Sequence, residues 1–176
     1  MKNSHMPEWN HSTYLWRLIP TDKLKNTARL AKRALAKYNY DALACRGVSG
    51  LLIAPLLACR LNKSLLVVRK PSEDNLHTTR TVEGDQAARR YIIIDDFMSS
   101  GETVNAIQEE IGRFAPQAVC LGLLEVNKLY STDKREVGPP EKVKLRTDWM
   151  GPYQKTPDEQ FVSENLTKEQ RKRCSL

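Results

Sequence analysis

Tyr91-Ile-Ile-Ile-Asp-Asp-Phe-Met-Ser-Ser-Gly-Glu-Thr103 is the stretch on which the reading of this chain turns. Ile92–Ile94 is wholly apolar and β-branched, so it reads as a strand buried on both faces. Its carboxyl end delivers two acids, Asp95 and Asp96. Ser99, Ser100, Gly101, Glu102 and Thr103 follow, immediately before a helical pattern at Val104–Phe114 in which Val104, Ile107 and Ile111 share one face. A helix N-terminus presents free backbone N–H groups and a partial positive charge. Hydroxyls and a glycine at that point form a cup for a phosphate group. Carboxylates do not suit a phosphate, but they accept hydrogen bonds from vicinal sugar hydroxyls. Any one of these residues would serve equally well as the cap of a strand-to-helix turn. Together they describe a ribose carrying a 5-phosphate.

Working outward, fully apolar strands alternate with helices. Thr21-Asp22 offers an N-cap to an amphipathic helix over 21–38, with Leu24, Ala28, Ala31, Ala34, Leu35 and Tyr38 at helical spacing and a solvated basic face. Asp41–Cys45 is a short apolar strand. Leu51–Arg60 reads as a buried helix with Pro55 in its first turn, where a missing N–H does no harm. Leu65–Val68 is a buried strand, and 71–90, polar and aperiodic, a long loop or flexible hairpin. Ala118–Val126 is a further apolar strand. This order implies an α/β fold: a parallel, Rossmann-like sheet covered by helices on both faces. Ligands in such sheets bind beyond the carboxyl ends of the strands. The loops 46–50, 69–71 and 95–103 leave strands at that edge. The 176 residues fit one domain, with an N-terminal arm (1–20), a core (21–130) and a C-terminal extension (131–176) that wraps the core or caps the site as a small hood.

Composition narrows the classes. With no apolar run of membrane-spanning length and no signal-peptide pattern at the N-terminus, no membrane association is expected. Cys45, Cys59, Cys120 and Cys174 lack C-x-x-C spacing, which points to a reducing, cytoplasmic setting without a disulfide frame or zinc site. The net charge of +7 favours anionic partners, either phosphorylated metabolites or, less favoured, nucleic acid. No G-x-G-x-x-G follows the first strand and no P-loop motif exists, which disfavours dehydrogenases and P-loop enzymes.

Two upstream segments add to the constellation. Arg46-Gly-Val-Ser-Gly50 is a tight glycine-containing turn before a helix, where backbone N–H groups can approach an anion. Arg69-Lys70 ends a strand with two cations, commonly a solvated strand end.

The run from Ile92 to Thr103 resembles the signature of type I phosphoribosyltransferases, which bind 5-phosphoribosyl-1-pyrophosphate (PRPP). That signature has apolar residues, two acids, two variable positions, then Ser/Thr, Ser/Thr, Gly, any residue and Ser/Thr. The resemblance covers about residues 40–125 and departs at Glu102, where glycine is common. It implies the type I phosphoribosyltransferase fold. It also implies that Asp95 and Asp96 contact the ribose hydroxyls and that Ser99, Ser100, Gly101, Glu102 and Thr103 hold the 5-phosphate. Arg46, Gly47, Val48, Ser49 and Gly50 resemble the pyrophosphate loop, and Arg69-Lys70 occurs at this place in orotate and adenine phosphoribosyltransferases. The segment Ser72–Gln86 corresponds to a flexible catalytic loop, from which His77 and Arg80 would reach the leaving pyrophosphate. The implied activity is transfer of the 5-phosphoribosyl group to a nitrogenous base with release of pyrophosphate. Asp95, Asp96, Arg69, Lys70 and His77 would be catalytic. Mg2+ would serve as cofactor at Asp95 and Asp96, bound mainly by oxygens of PRPP and water. A homodimer is usual in the family. The alternative is a PRPP-binding regulatory or RNA-binding protein on the same fold. Trp9, Trp16, Trp149 and Tyr153 are candidates to stack on a base, or are packing residues.

Overall fold

The computed structural model of the chain describes residues 20–70, 80–96, 98, 100–130 and 139–150. Helix α1 (Thr21–Leu35) precedes strand β1 (Ala42–Arg46), helix α2 (Gly47–Leu61), strands β2 (Ser64–Val68), β3 (Val82–Gly84) and β4 (Arg90–Asp95), helix α3 (Glu102–Phe114), strand β5 (Val119–Glu125) and the short helix α4 (Asn127–Tyr130). A 3₁₀ turn follows at Pro140–Lys142.

The sheet has the order β3-β2-β1-β4-β5. β1 pairs in parallel with β2 and β4, and β4 with β5, while β3 returns antiparallel to β2. The α/β sheet expected from the apolar runs is therefore present, with one added antiparallel edge strand. β3 lies inside the segment read as loop or hairpin. Its burial alternates only weakly over three residues, which left little periodicity to find.

Alternation along the strands sorts the core into two layers. Leu43, Cys45, Ile92 and Ile94 pack with α1 and α2 on one face. Ala42, Ala44, Tyr91 and Ile93 pack with Val104, Ile107 and Ile111 of α3 on the other. Both faces of β1 and β4 are thus covered, which is why these strands read as unbroken apolar runs. α1 buries a narrow stripe of small residues (Ala28, Ala31, Ala34) beside Leu35, which lets it lie close to its neighbours.

Three details differ from the sequence reading. Pro20, not Thr21 or Asp22, precedes the first turn of α1, and Asp22 sits within that turn, where its charge suits the helix dipole. α2 begins at Gly47 rather than Leu51, because the tight turn after β1 is itself the first turn of the helix. Pro55 consequently lies inside α2, on its exposed side, where water can satisfy the carbonyl that its missing N–H would have served. Cys59, read within an apolar stretch, is exposed, whereas Cys45 and Cys120 are buried free thiols. No helix among the described residues is long and apolar enough to cross a membrane.

Gly50 sets how closely α2 approaches the sheet. A Cβ there would stand 2.8 Å from Cys45 Cβ and 2.9 Å from the Ile94 carbonyl oxygen. Gly112, on the exposed side of α3, has nothing within 4 Å of such an atom. Urea unfolding should therefore separate the two glycines. Gly50→Ala is expected to destabilise by about 1–3 kcal/mol through overpacking. Gly112→Ala is expected to stabilise by roughly 0.5–1 kcal/mol through helix propensity.

Candidate functional site

The strand order reverses at β1. From there the chain runs outward to β2 on one side, and β4 and β5 occupy the other. Open parallel sheets have their ligand crevice at such a switch point, outside the carboxyl ends of the strands. β1 ends at Arg46 and β4 at Asp95, and the pairing of Ala44 with Ile93 carries both ends to the same level. The turn 46–50 and the segment 95–103, distant in sequence, therefore meet.

They meet through a hydrogen bond. Ser49 Oγ donates to Asp95 Oδ1 at 2.8 Å, and the N–H of Asp96 donates to the same oxygen at 2.9 Å. Asp95 is 6% exposed. Its carboxyl is pushed up to about 6. Burial is the main cause; the Ser49 hydrogen bond opposes it, and the neighbouring charge of Asp96 adds to it. Asp95 is thus a nearly enclosed acceptor, and Asp96 beside it is more open.

Next to the acids, Gly101 caps α3 with φ 83°, a left-handed conformation that glycine adopts without strain. Ser100 Oγ accepts the N–H of Glu102 at 3.4 Å, and Asn105 N–H closes the first helical turn on the Gly101 carbonyl at 2.9 Å. Ser100, Glu102 and Thr103 are exposed around this N-terminus. Glu102 occupies the first turn, where an acid suits the dipole.

The cationic side is built from β1 and β2. Gly47 has φ 68°, and a Cβ on it would stand 2.9 Å from Lys70 Cε and 3.2 Å from Lys70 Nζ. The ammonium of Lys70 therefore lies against the 46–50 turn, reaching from the neighbouring strand end. Arg69 is aimed differently: its Nη2 donates to Glu83 Oε1 at 3.2 Å across the β2–β3 pair. Val48 is 68% exposed, so its place in the turn offers the backbone rather than the side chain. The structure thus gathers Arg46, Gly47, Val48, Ser49, Gly50, Lys70, Asp95, Asp96, Ser100, Gly101, Glu102 and Thr103 at one edge. Ser99 and His77 lie outside the described residues, as do Trp9, Trp16 and Tyr153. Trp149 donates through its indole N–H to Gln108 Oε1 at 3.0 Å and packs against the α3 layer. That is the packing alternative of its sequence reading.

Sequence reasoning missed Glu125 and Arg146, which bond the backbone of Met98 inside the 95–103 segment. The available signal was an acid at the carboxyl end of the apolar β5 run, the position Asp95 holds on β4. Among the described residues no group of three or more His, Cys, Asp or Glu side chains converges on a common point.

The fold agrees with what the chain resembles. The family model for the phosphoribosyl transferase domain matches residues 21–146, and the chain belongs to that family. An adenine phosphoribosyltransferase from Fervidobacterium nodosum is 31% identical over 88 residues, 42% of this chain and 52% of the relative. The match thus spans about half the length of that curated protein. The solved structure of Leishmania donovani UMP synthase superposes with a TM-score of 0.50 at 26% identity, covering 62% of this chain and 23% of that one. An adenine phosphoribosyltransferase from Thermoanaerobacter pseudethanolicus gives a TM-score of 0.49 at 19% identity, over 61% and 69% of the two chains.

The electrostatics of the acid pair can be checked by following the Asp95 carboxyl carbon in an NMR titration. Asp96→Asn removes the neighbouring charge and should lower the midpoint from about 6. Ser49→Ala removes the opposing hydrogen bond and should raise it. The folded value lies above the ordinary unfolded one, so the stability contributed by protonated Asp95 is lost as pH rises from roughly 4 through 6. Asp95→Asn should flatten that part of the stability profile.

Proposed function

We propose that this protein is a phosphoribosyltransferase that moves the 5-phosphoribosyl group from PRPP to a nitrogenous base and releases pyrophosphate. The observation that carries the reading is the Ser49–Asp95 hydrogen bond at the switch point. On this reading the acid pair binds the diol, and the elements beside it, the N-terminus of α3 and the 46–50 turn backed by Lys70, bind the anions.

In this reading Asp95 and Asp96 accept hydrogen bonds from the ribose 2- and 3-hydroxyls. The N-terminus of α3, with Ser99, Ser100, Gly101, Glu102 and Thr103, holds the 5-phosphate. Backbone N–H groups of residues 46–50 and the charges of Arg46 and Lys70 receive the pyrophosphate. Arg69 contributes from beside Glu83, and His77 from the adjoining loop. No protein nucleophile is required. Displacement at carbon 1 of the ribose develops positive charge on the sugar and negative charge on the leaving group. The acid pair stabilises the first, and the cationic turn the second. A divalent cation such as Mg2+ fits this donor set as a guest of the pyrophosphate, with Asp95 and Asp96 as its protein-side acids and the remaining ligands from PRPP and water. When bound, it neutralises leaving-group charge.

The family match supports transfer over the RNA-binding or purely regulatory alternative. A cytoplasmic homodimer belongs to the same proposal, and the exposed apolar side chains Val48 and Leu51 on α2 suit it.

The test is pyrophosphate release from magnesium-PRPP across a panel of purine and pyrimidine bases, with a base-free control. Base-dependent release is expected; release with no base in the panel, or none above the control, contradicts the transferase. Asp95→Asn with Asp96→Asn should weaken PRPP binding at least about 100-fold in calorimetry, since two hydrogen-bonded charges are lost. Lys70→Ala should raise the KM for PRPP by roughly tenfold.

A further inference from the structure

The segment between β4 and α3 is the one read as the sugar-phosphate site. The Asp95 and Asp96 carbonyls still accept from the N–H groups of Val126 and Asn127 at 2.8 and 3.0 Å, and beyond them the backbone needs other partners. Met98 lies within it. Its N–H donates to Glu125 Oε1 at 3.1 Å, and its carbonyl accepts from Arg146 Nη1 at 3.2 Å. The same Arg146 Nη1 donates to Glu125 Oε1 at 3.1 Å, so the acid, the guanidinium and both backbone groups of Met98 form one closed ring of bonds. Glu125 stands at the end of β5, with its side chain 5% exposed. Lys128 pairs with its other oxygen. Burial alone would push the Glu125 carboxyl up. Lys128, the Met98 N–H and Arg146 outweigh burial and hold it below the usual carboxylate range.

Arg146 comes from the C-terminal extension, and two features fix it. Its backbone exchanges both hydrogen bonds with Leu123 on β5, at 2.8 and 3.0 Å, as an isolated antiparallel bridge. Its Nε and Nη2 donate to Asp148 Oδ1 and Oδ2 at 2.7 and 3.0 Å. This fork holds the guanidinium plane and leaves Nη1 for Glu125 and Met98.

We propose that Glu125 and Arg146 are positioning residues that clamp the phosphate-binding loop through the backbone of Met98, so that the C-terminal extension completes the site without touching the ligand. This rests on reading 95–103 as the sugar-phosphate site. The clamp works by holding the path from Asp96 to Gly101, so that the acid pair and the N-terminus of α3 keep their spacing before a ligand arrives.

The full chain is compared with Arg146→Gln, Arg146→Lys and Asp148→Asn. One readout is hydrogen exchange of the amides over 96–101 against those of β1. The other is calorimetric affinity for ribose 5-phosphate. Arg146→Gln should speed loop exchange by about tenfold and leave β1 unchanged, and should weaken affinity by a similar factor. Arg146→Lys, which keeps the charge but not the fork, should recover part of both. Asp148→Asn, which touches neither Met98 nor the α3 N-terminus, should move both slightly in the same direction, and it carries the test if Arg146→Gln fails to fold. Loop exchange unchanged from wild type overturns the clamp, as does a loosened loop with undiminished affinity. If the wild-type chain itself does not bind ribose 5-phosphate, the reading of the site falls. The exchange comparison then decides the clamp alone, upheld by faster loop exchange and overturned by none.

Discussion

The side-by-side placement of β1 and β4, with their carboxyl ends level, is the constraint on which the rest of this structure depends. Everything proposed to handle anions or hydroxyls leaves one of these two strands or leans on them. The Ser49–Asp95 hydrogen bond is the local expression of that register. It forms because α2 can lie against the end of β4, and α2 can do so because residue 50 has no side chain to collide with the Ile94 carbonyl. A glycine in a helix weakens it slightly, but here it allows a close approach that any Cβ would prevent.

That register also explains the charge arrangement. A buried acid such as Asp95 is costly unless it is hydrogen-bonded, and it has two donors on one oxygen. Its neighbour Asp96 raises the cost of ionising it. The cations on this edge come from other strands: Arg46 from β1, and Lys70 from beyond β2, lying against Gly47. Negative and positive groups are therefore brought together at this one edge from different strands. Arg69 and Glu83 satisfy each other across the hairpin.

The edges of the sheet are closed by quite different means. β3 covers the β2 edge for three residues, and the extension covers β5 with a single bridge at Leu123 and Arg146. Further along, Lys37 donates to the Val143 carbonyl and Tyr38 accepts from Leu145, tying the same extension to the end of α1. Covering an edge limits unwanted strand pairing. Here the cover also brings in a guanidinium that bonds the backbone of Met98, so edge protection and the geometry of the candidate site share the same few residues.

Much of this was legible in the sequence, because the signals were local. Ile92–Ile94 followed by two acids and a hydroxyl cup defined a strand, a turn and a helix start within thirteen residues, and Val104, Ile107 and Ile111 became the buried face of α3 as their spacing required. The apolar runs likewise determined the parallel, two-sided sheet. What sequence alone could not decide was nonlocal or weakly patterned. β3 is too short to show a period, and the true start of α2 was hidden because a turn and a first helical turn look alike at Gly47. Glu125 and Arg146 stand 21 positions apart, and the polar end of an apolar strand carries no mark of what it will face. Only the tertiary structure, by setting β5 beside β4 and the extension beside β5, brought them onto the backbone of Met98. Strand neighbours are chosen by packing across the whole sheet, whereas a strand, a cap or a cup is chosen by the residues that form it.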